Sequence, residues 1–241
     1  MTPTQAVILA GGRGSRLNEK TNALPKAMLT IGEAPILDHI IHHLIQSGVE
    51  QIIVASGYRH EIIEKHVQQT SYANVAVEVV NTGLNTNTGG RLKALENYLQ
   101  GHAFIMCWCD AVSNININAL YELHMTSDVL VTIAAVHPPA RFGELALKGN
   151  QVISYAEKAL QKDRWISGGY FVVETSVLDK IKGSDSSWEY DVLASLADTG
   201  QLQAYQHHDQ WQCMDTVHEY DLLNELFSKG NAFWPLPNSD N

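Results

Sequence analysis

Gly11, Gly12 and Gly14 fall within four residues and directly follow the apolar run Ala6-Val7-Ile8-Leu9-Ala10. Glycine lets the backbone take positive φ and approach a ligand closely, so consecutive N–H groups can point at one anion. Arg13, Arg16, Lys20 and Lys26 add four positive charges here against Glu19 alone, in a chain whose formal net charge is −10. The chemistry these residue types support is the binding of a small, phosphate-rich molecule. A plain tight turn is the competing reading, since glycines serve turns generally. The dinucleotide fingerprint fails because Leu17 stands where the third glycine is required, and the P-loop pattern fails because no Gly-Lys-Ser/Thr follows.

Two more stretches carry chemistry. Asn81 to Lys93 is rich in turn formers and ends in Thr88-Gly89-Gly90-Arg91 at the start of a helical segment. Thr88 can cap that helix, and the helix start with its guanidinium fork also suits a phosphate. Asp110 closes the apolar run Ala103 to Trp108, where a strand-end carboxylate can hold a hard cation or serve a turn. Asp215, just ahead of a second helical segment, is read equally as that helix's N-cap or as a second metal ligand. Cys109 and Cys213 lie within two residues of these aspartates, but a closed zinc centre needs four ligands and no fitting histidine is evident.

The elements that must place these residues alternate strand and helix through the first half of the chain. Ile36, Ile40 and Leu44 recur at i+4 beside Leu37, Ile41 and Ile45, a wide helical stripe that Gly48 can end; His39, His42 and His43 are expected on its solvated face. Gln51–Ser56 and Val75–Val80 read as strands, and Arg59–Val67 as a helix. Such alternation predicts an α/β fold, a Rossmann-like, mostly parallel sheet flanked by helices whose ligands lie outside the carboxyl ends of the strands. Glu144–Leu147 and Val152–Ala156 around Gly149-Asn150 predict a hairpin in a smaller, partly antiparallel layer.

The 241 residues and 45% hydrophobic content suit a single domain over residues 1–232. It would have a nucleotide-binding part over about 1–135, an acceptor-binding part over about 136–232 and a loose tail over 233–241. The acidic balance argues against a nucleic-acid partner. No apolar run approaches the ~20 residues of a membrane span, and no signal peptide is evident, so no membrane partner and a cytoplasmic location are expected. Three cysteines do not make a secreted disulfide framework.

The glycine loop followed by Pro25-Lys26 resembles the sugar-1-phosphate nucleotidyltransferases. With Thr88-Gly89-Gly90-Arg91-Leu92-Lys93, Pro138-Pro139-Ala140-Arg141-Phe142-Gly143, Glu157-Lys158, Gly168-Gly169-Tyr170-Phe171-Val172, Trp188-Glu189 and Met214-Asp215-Thr216, the chain resembles the glucose-1-phosphate cytidylyltransferases from Ala6 nearly to Trp234. The resemblance implies transfer of CMP from CTP to a sugar 1-phosphate or related phosphomonoester, with Mg²⁺ as cofactor and a possible homo-oligomer. It implies catalytic roles for Arg16, Lys26 and Asp110, with Asp110 and Asp215 as metal ligands. Nucleotide contacts would come from Leu9, Ala10, Gly11, Gly12, Arg13, Gly14, Ser15, Arg16, Lys26, Thr82, Gly83, Thr88, Gly89, Arg91 and Cys109. Acceptor contacts would come from Glu157, Lys158, Ser167, Gly168 and Trp188.

The chain departs from that pattern at Cys109-Asp110-Ala111, where Gly-Asp-Gly is usual, at Ala159-Leu160 in place of Pro-Lys, and at Ser167 in place of Asn. The Gln68–Asn74 segment is also shorter than the family's insertion. Two other function classes stand beside the transferase reading. A glycosyltransferase would commonly use Asp-x-Asp, which the chain lacks; a non-catalytic nucleotide sensor would fit the changes around Asp110.

Overall fold

A computed structural model describes residues 2–14, 17, 24–138, 143–156 and 164–237. Strand β1 (Gln5–Leu9) is buried at every position. Its side chains alternate between two apolar layers, Ala6 and Ile8 entering one and Val7 and Leu9 the other, as a strand covered on both faces must do. The chain continues through β2 (Thr30–Ile31), β3 (Ala34–Pro35), helix α1 (Ile36–Gln46), β4 (Gln51–Ser56), α2 (His60–Gln69), β5 (Ala76–Asn81), α3 (Thr88–Ala94), β6 (Ala103–Trp108), β7 (Ala111–Ser113), α4 (Ile117–Met125) and β8 (Val131–Val136). The hairpin β9 (Glu144–Lys148) and β10 (Gln151–Ala156) and strand β11 (Ile166–Glu174) come next. A π-helical segment, Trp188–Leu193, then leads into α5 (Ala194–Asp198), β12 (Leu202–Gln206), β13 (Trp211–Cys213) and α6 (Val217–Ser228).

Seven strands form the central sheet in the order β12-β8-β11-β6-β1-β4-β5. β11 runs antiparallel to β6 and β8, while the other pairings are parallel. The mostly parallel sheet is therefore as expected. From β1 the chain steps outward to β4 and β5, then returns to β6 on the other side of β1. The sheet thus has its switch point between β1 and β6, where the loops leaving the two strands diverge and leave a crevice.

The apolar stripe of α1 is buried as its spacing predicts, but two of its histidines are not solvated. His39 and His43 are 1% and 6% exposed. His39 Nε2 donates to the Ile31 carbonyl at 3.0 Å while its Nδ1 accepts from the Trp234 indole at 3.1 Å. His43 Nε2 donates to the Ile115 carbonyl at 2.8 Å. A neutral imidazole is both donor and acceptor, so it can sit in a core that supplies one partner of each kind. Burial pushes the His43 pKa down to about 4. The same contacts correct the expectation of a loose tail from Phe233, because Trp234 is only 4% exposed and packs edge-on against His39.

Candidate active site

At the switch point a cavity of about 580 Å³ opens between the glycine loop after β1, the start of α3 and the segment after β6. Of the residues expected to bind nucleotide or metal, Leu9, Ala10, Gly11, Gly12, Gly14, Lys26, Thr88, Arg91, Cys109, Asp110 and Asp215 line it. Thr86, Asn87, Trp108 and Glu189, which were given no individual site role from the sequence, line it too. A neighbouring cavity of about 380 Å³ shares Gly11, Gly12 and Arg91 and adds Arg13 and Asp185. Ser15, Arg16, Glu157 and Lys158 lie outside the described residues.

Lys26 sits at the centre of the charge. Pro25, at φ −65°, precedes the short 3₁₀ turn Lys26–Met28. The Lys26 ammonium donates to Asp110 Oδ2 at 3.2 Å and to Asp215 Oδ1 at 2.6 Å, with its side chain 13% exposed. Burial pulls its pKa down, but the charge of Asp110 and the hydrogen bond and charge of Asp215 outweigh that, and the net direction is upward. The two aspartates are far apart in sequence and meet because β7 pairs antiparallel with β13, Ala111 opposite Cys213, and Met214 N–H donates to the Asp110 carbonyl at 2.8 Å.

The structure also separates Asp215 from its alternative role. The N-cap of α6 is Thr216, in a capping box with Glu219. Glu219 Oε2 accepts from both the Asp215 and Thr216 N–H groups, at 2.8 and 2.9 Å. The helix start is therefore satisfied without the Asp215 carboxylate, which faces Lys26.

Arg91 is not free to meet phosphate. It is 5% exposed. Its Nη1 donates to the Ser56 carbonyl, Thr82 Oγ1 and the Gly83 carbonyl at 3.1, 2.7 and 2.7 Å, and its Nη2 to the Gly11 carbonyl at 3.2 Å. The guanidinium is a strut tying the glycine loop to the ends of β4 and β5, and burial lowers its pKa from the usual value. Gly11 is required beneath it, because a Cβ there would stand 2.2 Å from the guanidinium carbon. Thr82 and Gly83, expected at the nucleotide, hold this strut through the Thr82 hydroxyl and the Gly83 carbonyl and are not among the residues lining the cavity.

The Thr88-Gly89-Gly90 run is likewise engaged within the protein. Asn87, not Thr88, caps α3, its side chain accepting from Thr88 N–H at 2.8 Å. Gly90 N–H donates to the Ser186 carbonyl at 3.1 Å, and a Cβ on Gly90 would lie 2.3 Å from the Ser184 carbonyl oxygen. A Cβ on Gly89 would lie 2.9 Å from the Ser186 oxygen, so these two glycines allow close packing against the 184–188 segment. That segment holds Trp188 at 0% exposure, edge-on to Phe171 in the core. Trp188 is thus a core residue, which corrects its expected acceptor contact, and its neighbour Glu189 faces the cavity in its place. Ser167 and Gly168 stand at the start of β11 and do not line the cavity; the Gly168 carbonyl accepts from the Trp211 indole at 2.8 Å.

Cys107, Cys109 and Cys213 are buried free thiols. Burial, reinforced by Glu219, pushes the Cys213 pKa up to about 12. Among the described residues no group of three or more His, Cys, Asp or Glu side chains could hold a metal ion, so the zinc alternative has no ligand set there.

Residues 5–225 match the model of the nucleotidyl transferase family. The chain is 36% identical to the glucose-1-phosphate cytidylyltransferase of Salmonella typhimurium, over 95% of this chain and 98% of that protein. It is 30% identical to a probable glucose-1-phosphate cytidylyltransferase of Bacillus subtilis, over 96% and 99% of the two chains. In fold it is similar to HddC from Yersinia pseudotuberculosis, with a TM-score of 0.75 at 24% identity over 94% of this chain and all of that one.

Proposed function

Because the chain belongs to the nucleotidyl transferase family, we propose that it transfers CMP from CTP to the phosphate of a sugar 1-phosphate, foremost glucose 1-phosphate, releasing pyrophosphate. The observation that carries this reading is the convergence of Lys26, Asp110 and Asp215 in the switch-point cavity. The names of the relatives that match over nearly their whole length supply the base and the sugar.

A phosphate monoester is already an anion near neutral pH, so attack on the α-phosphorus needs no general base. An acceptor phosphate oxygen forms the new bond to phosphorus while the bond to the bridging oxygen breaks, and pyrophosphate carries that electron pair away. The difficulty is electrostatic: two unit charges 4 Å apart repel by about 4 kcal/mol at an effective dielectric near 20, and each substrate carries more than one. Lys26 and the N–H groups of the glycine loop offset that repulsion and hold the reacting groups in line. Arg16 would add a further cation, with Glu157, Lys158, Ser167 and Gly168 meeting the acceptor.

The donor set fits Mg²⁺. Two carboxylates from different elements converge on one cation position, and Mg²⁺ is held by one or two carboxylates with water and substrate phosphates completing its shell. Bound by Asp110 and Asp215, it would neutralise charge on the triphosphate and the departing pyrophosphate.

The test is a matrix of four nucleoside triphosphates against a panel of sugar 1-phosphates and other phosphomonoesters, read by pyrophosphate release with and without EDTA. Turnover with CTP and glucose 1-phosphate that EDTA abolishes is expected. Turnover with UTP or GTP and none with CTP would refute the base, CTP turnover only with another acceptor would replace the sugar, and no turnover in any cell would leave a nucleotide sensor.

A further inference from the structure

Two sets of carboxylates line the cavity: Asp110 and Asp215 around Lys26 and, from a different element, Glu189. Asp110 and Asp215 adjoin Cys109 and Met214, which belong to the same apolar layer as Ala27 beside Lys26. Glu189 follows Trp188, which belongs to the other layer together with Leu92 of α3. Glu189 makes no ion pair with Lys26, whose two carboxylate partners are the aspartates. Under the proposed reaction Lys26, Asp110 and Asp215 take the metal and the phosphates, which leaves the wall bearing Glu189 for the nucleoside.

On that second wall the polar side chains are nearly all engaged. Thr88 Oγ1 donates its proton to Glu189 Oε2 at 2.7 Å and accepts from Trp188 N–H at 2.9 Å. Asn87 Oδ1 accepts from Thr88 N–H, and Asn87 Nδ2 donates to the Asp185 carbonyl at 3.3 Å. Thr86 gives its hydroxyl proton to the Thr82 carbonyl at 2.6 Å. Glu189 Oε2 also accepts from Ser187 Oγ at 2.8 Å, which locks the carboxylate in place. Its second oxygen, Oε1, accepts from no donor among the described residues.

We infer that Glu189 reads the nucleobase, with Oε1 accepting from the exocyclic amine of cytosine. A carboxylate offers acceptors only and repels phosphate, so the ligand part that meets it must be uncharged and must carry a hydrogen-bond donor. Cytosine presents an amine where uracil presents a carbonyl oxygen, so the same oxygen attracts one base and repels the other. Discrimination of this kind is strong because the wrong base leaves a desolvated charge unpaired. The inference rests on the reading of CTP as the nucleotide and adds the residue that selects it.

Glu189→Gln tests it. Glutamine keeps an oxygen for the Thr88 and Ser187 hydroxyls and turns an NH₂ donor toward the base, which suits uracil. The measurement is kcat/KM for CTP and for UTP at fixed glucose 1-phosphate, in wild type and variant, with CMP and UMP binding by calorimetry as a readout that needs no turnover. The expected result is a shift of the CTP-to-UTP ratio toward UTP by about tenfold or more, in a variant whose melting temperature stays close to wild type. An unchanged ratio, or an effect confined to the KM of the sugar phosphate, overturns the role of Glu189 and leaves the transferase reading standing. Wild-type protein that does not prefer CTP to UTP overturns the reading of CTP itself, and the wild-type arm alone reveals it.

Discussion

Lys26 stands between Asp110 and Asp215, at the position that a divalent cation and phosphates would share in the proposed reaction. In the proposed reaction the ammonium would exchange carboxylates for phosphates, which would give the residue a structural and a chemical role that can be separated. Lys26→Ala leaves two carboxylates facing one another without a cation. The variant should therefore melt lower than wild type in EDTA and recover more on addition of Mg²⁺, because a cation bound by the folded state alone shifts stability by mass action. Its turnover with saturating Mg²⁺ should still fall by about a hundredfold or more, since the charge it supplied is felt as the phosphates approach. Scanning fluorimetry with EDTA or Mg²⁺ checks the first point and pyrophosphate release the second; an equal response to Mg²⁺ in both proteins would count against the shared position. Lys26 and Asp110 were readable from the sequence because each stands beside a strand end or a proline that fixes it. Asp215 was ambiguous because cap and ligand look alike until Thr216 and Glu219 are seen to satisfy α6. Glu189 was quoted only within the Trp188-Glu189 motif and the role went to Trp188, because the Thr88 hydroxyl that orients Glu189 lies in an element remote in sequence.

At the level of elements, the glycine loop owes its shape to α3. Arg91 holds three carbonyls and one hydroxyl from β1, β4 and β5, so the loop after β1 is braced from behind. Arg91→Met keeps the stem but orphans those acceptors, and a buried unsatisfied acceptor costs about 1–3 kcal/mol. Urea unfolding should show a loss of about 3 kcal/mol or more, along with weaker CTP binding; lost turnover at unchanged stability would return Arg91 to the phosphates. The sequence could place Arg91 at the site but not see this use, because a phosphate and a cage of carbonyls both ask for a guanidinium. Helix α1 carries a second testable consequence. His43 titrates near 4 when folded and near the ordinary value of 6.5 when unfolded, so between those pH values the unfolded chain binds the extra proton and stability rises with pH. As pH falls from about 6.5 to about 4 this site alone withdraws roughly 3 kcal/mol. His43→Gln, whose amide can still donate to the Ile115 carbonyl, should melt with a smaller drop between pH 7 and pH 4.5 than wild type. The histidine stripe misled because β2 and the Trp234 segment close over His39, and the Ile115 carbonyl meets His43, on the side that the periodicity leaves polar.

At the level of the whole molecule, the parallel half was legible because apolar strands such as β1 and β4 alternate with amphipathic helices such as α1 and α2, and the hairpin because Gly149-Asn150 separates two strand-like runs. What a single chain's pattern cannot show is what lies against a surface. The hairpin β9–β10 forms a sheet of its own. Val152 pairs across from Leu147, and Leu145 lies two residues before Leu147 on the same strand, so the three share one face. Leu145, Leu147 and Val152 are half-exposed or more, at 56%, 59% and 50%. Two strands alone are marginal in water, and a contiguous apolar face of this kind marks a contact with another surface. We propose a second copy of the chain as the occupant, following the sequence expectation of a homo-oligomer. Size-exclusion chromatography with light scattering should then return a mass above 26.7 kDa for the wild type. The pair Leu145→Glu and Leu147→Glu, which touches neither core layer nor the cavity, should lower that mass while leaving the sheet's circular dichroism unchanged. A wild-type mass equal to one chain would show that the hairpin face has no self-partner, and an unchanged oligomer in the double variant would move the interface elsewhere.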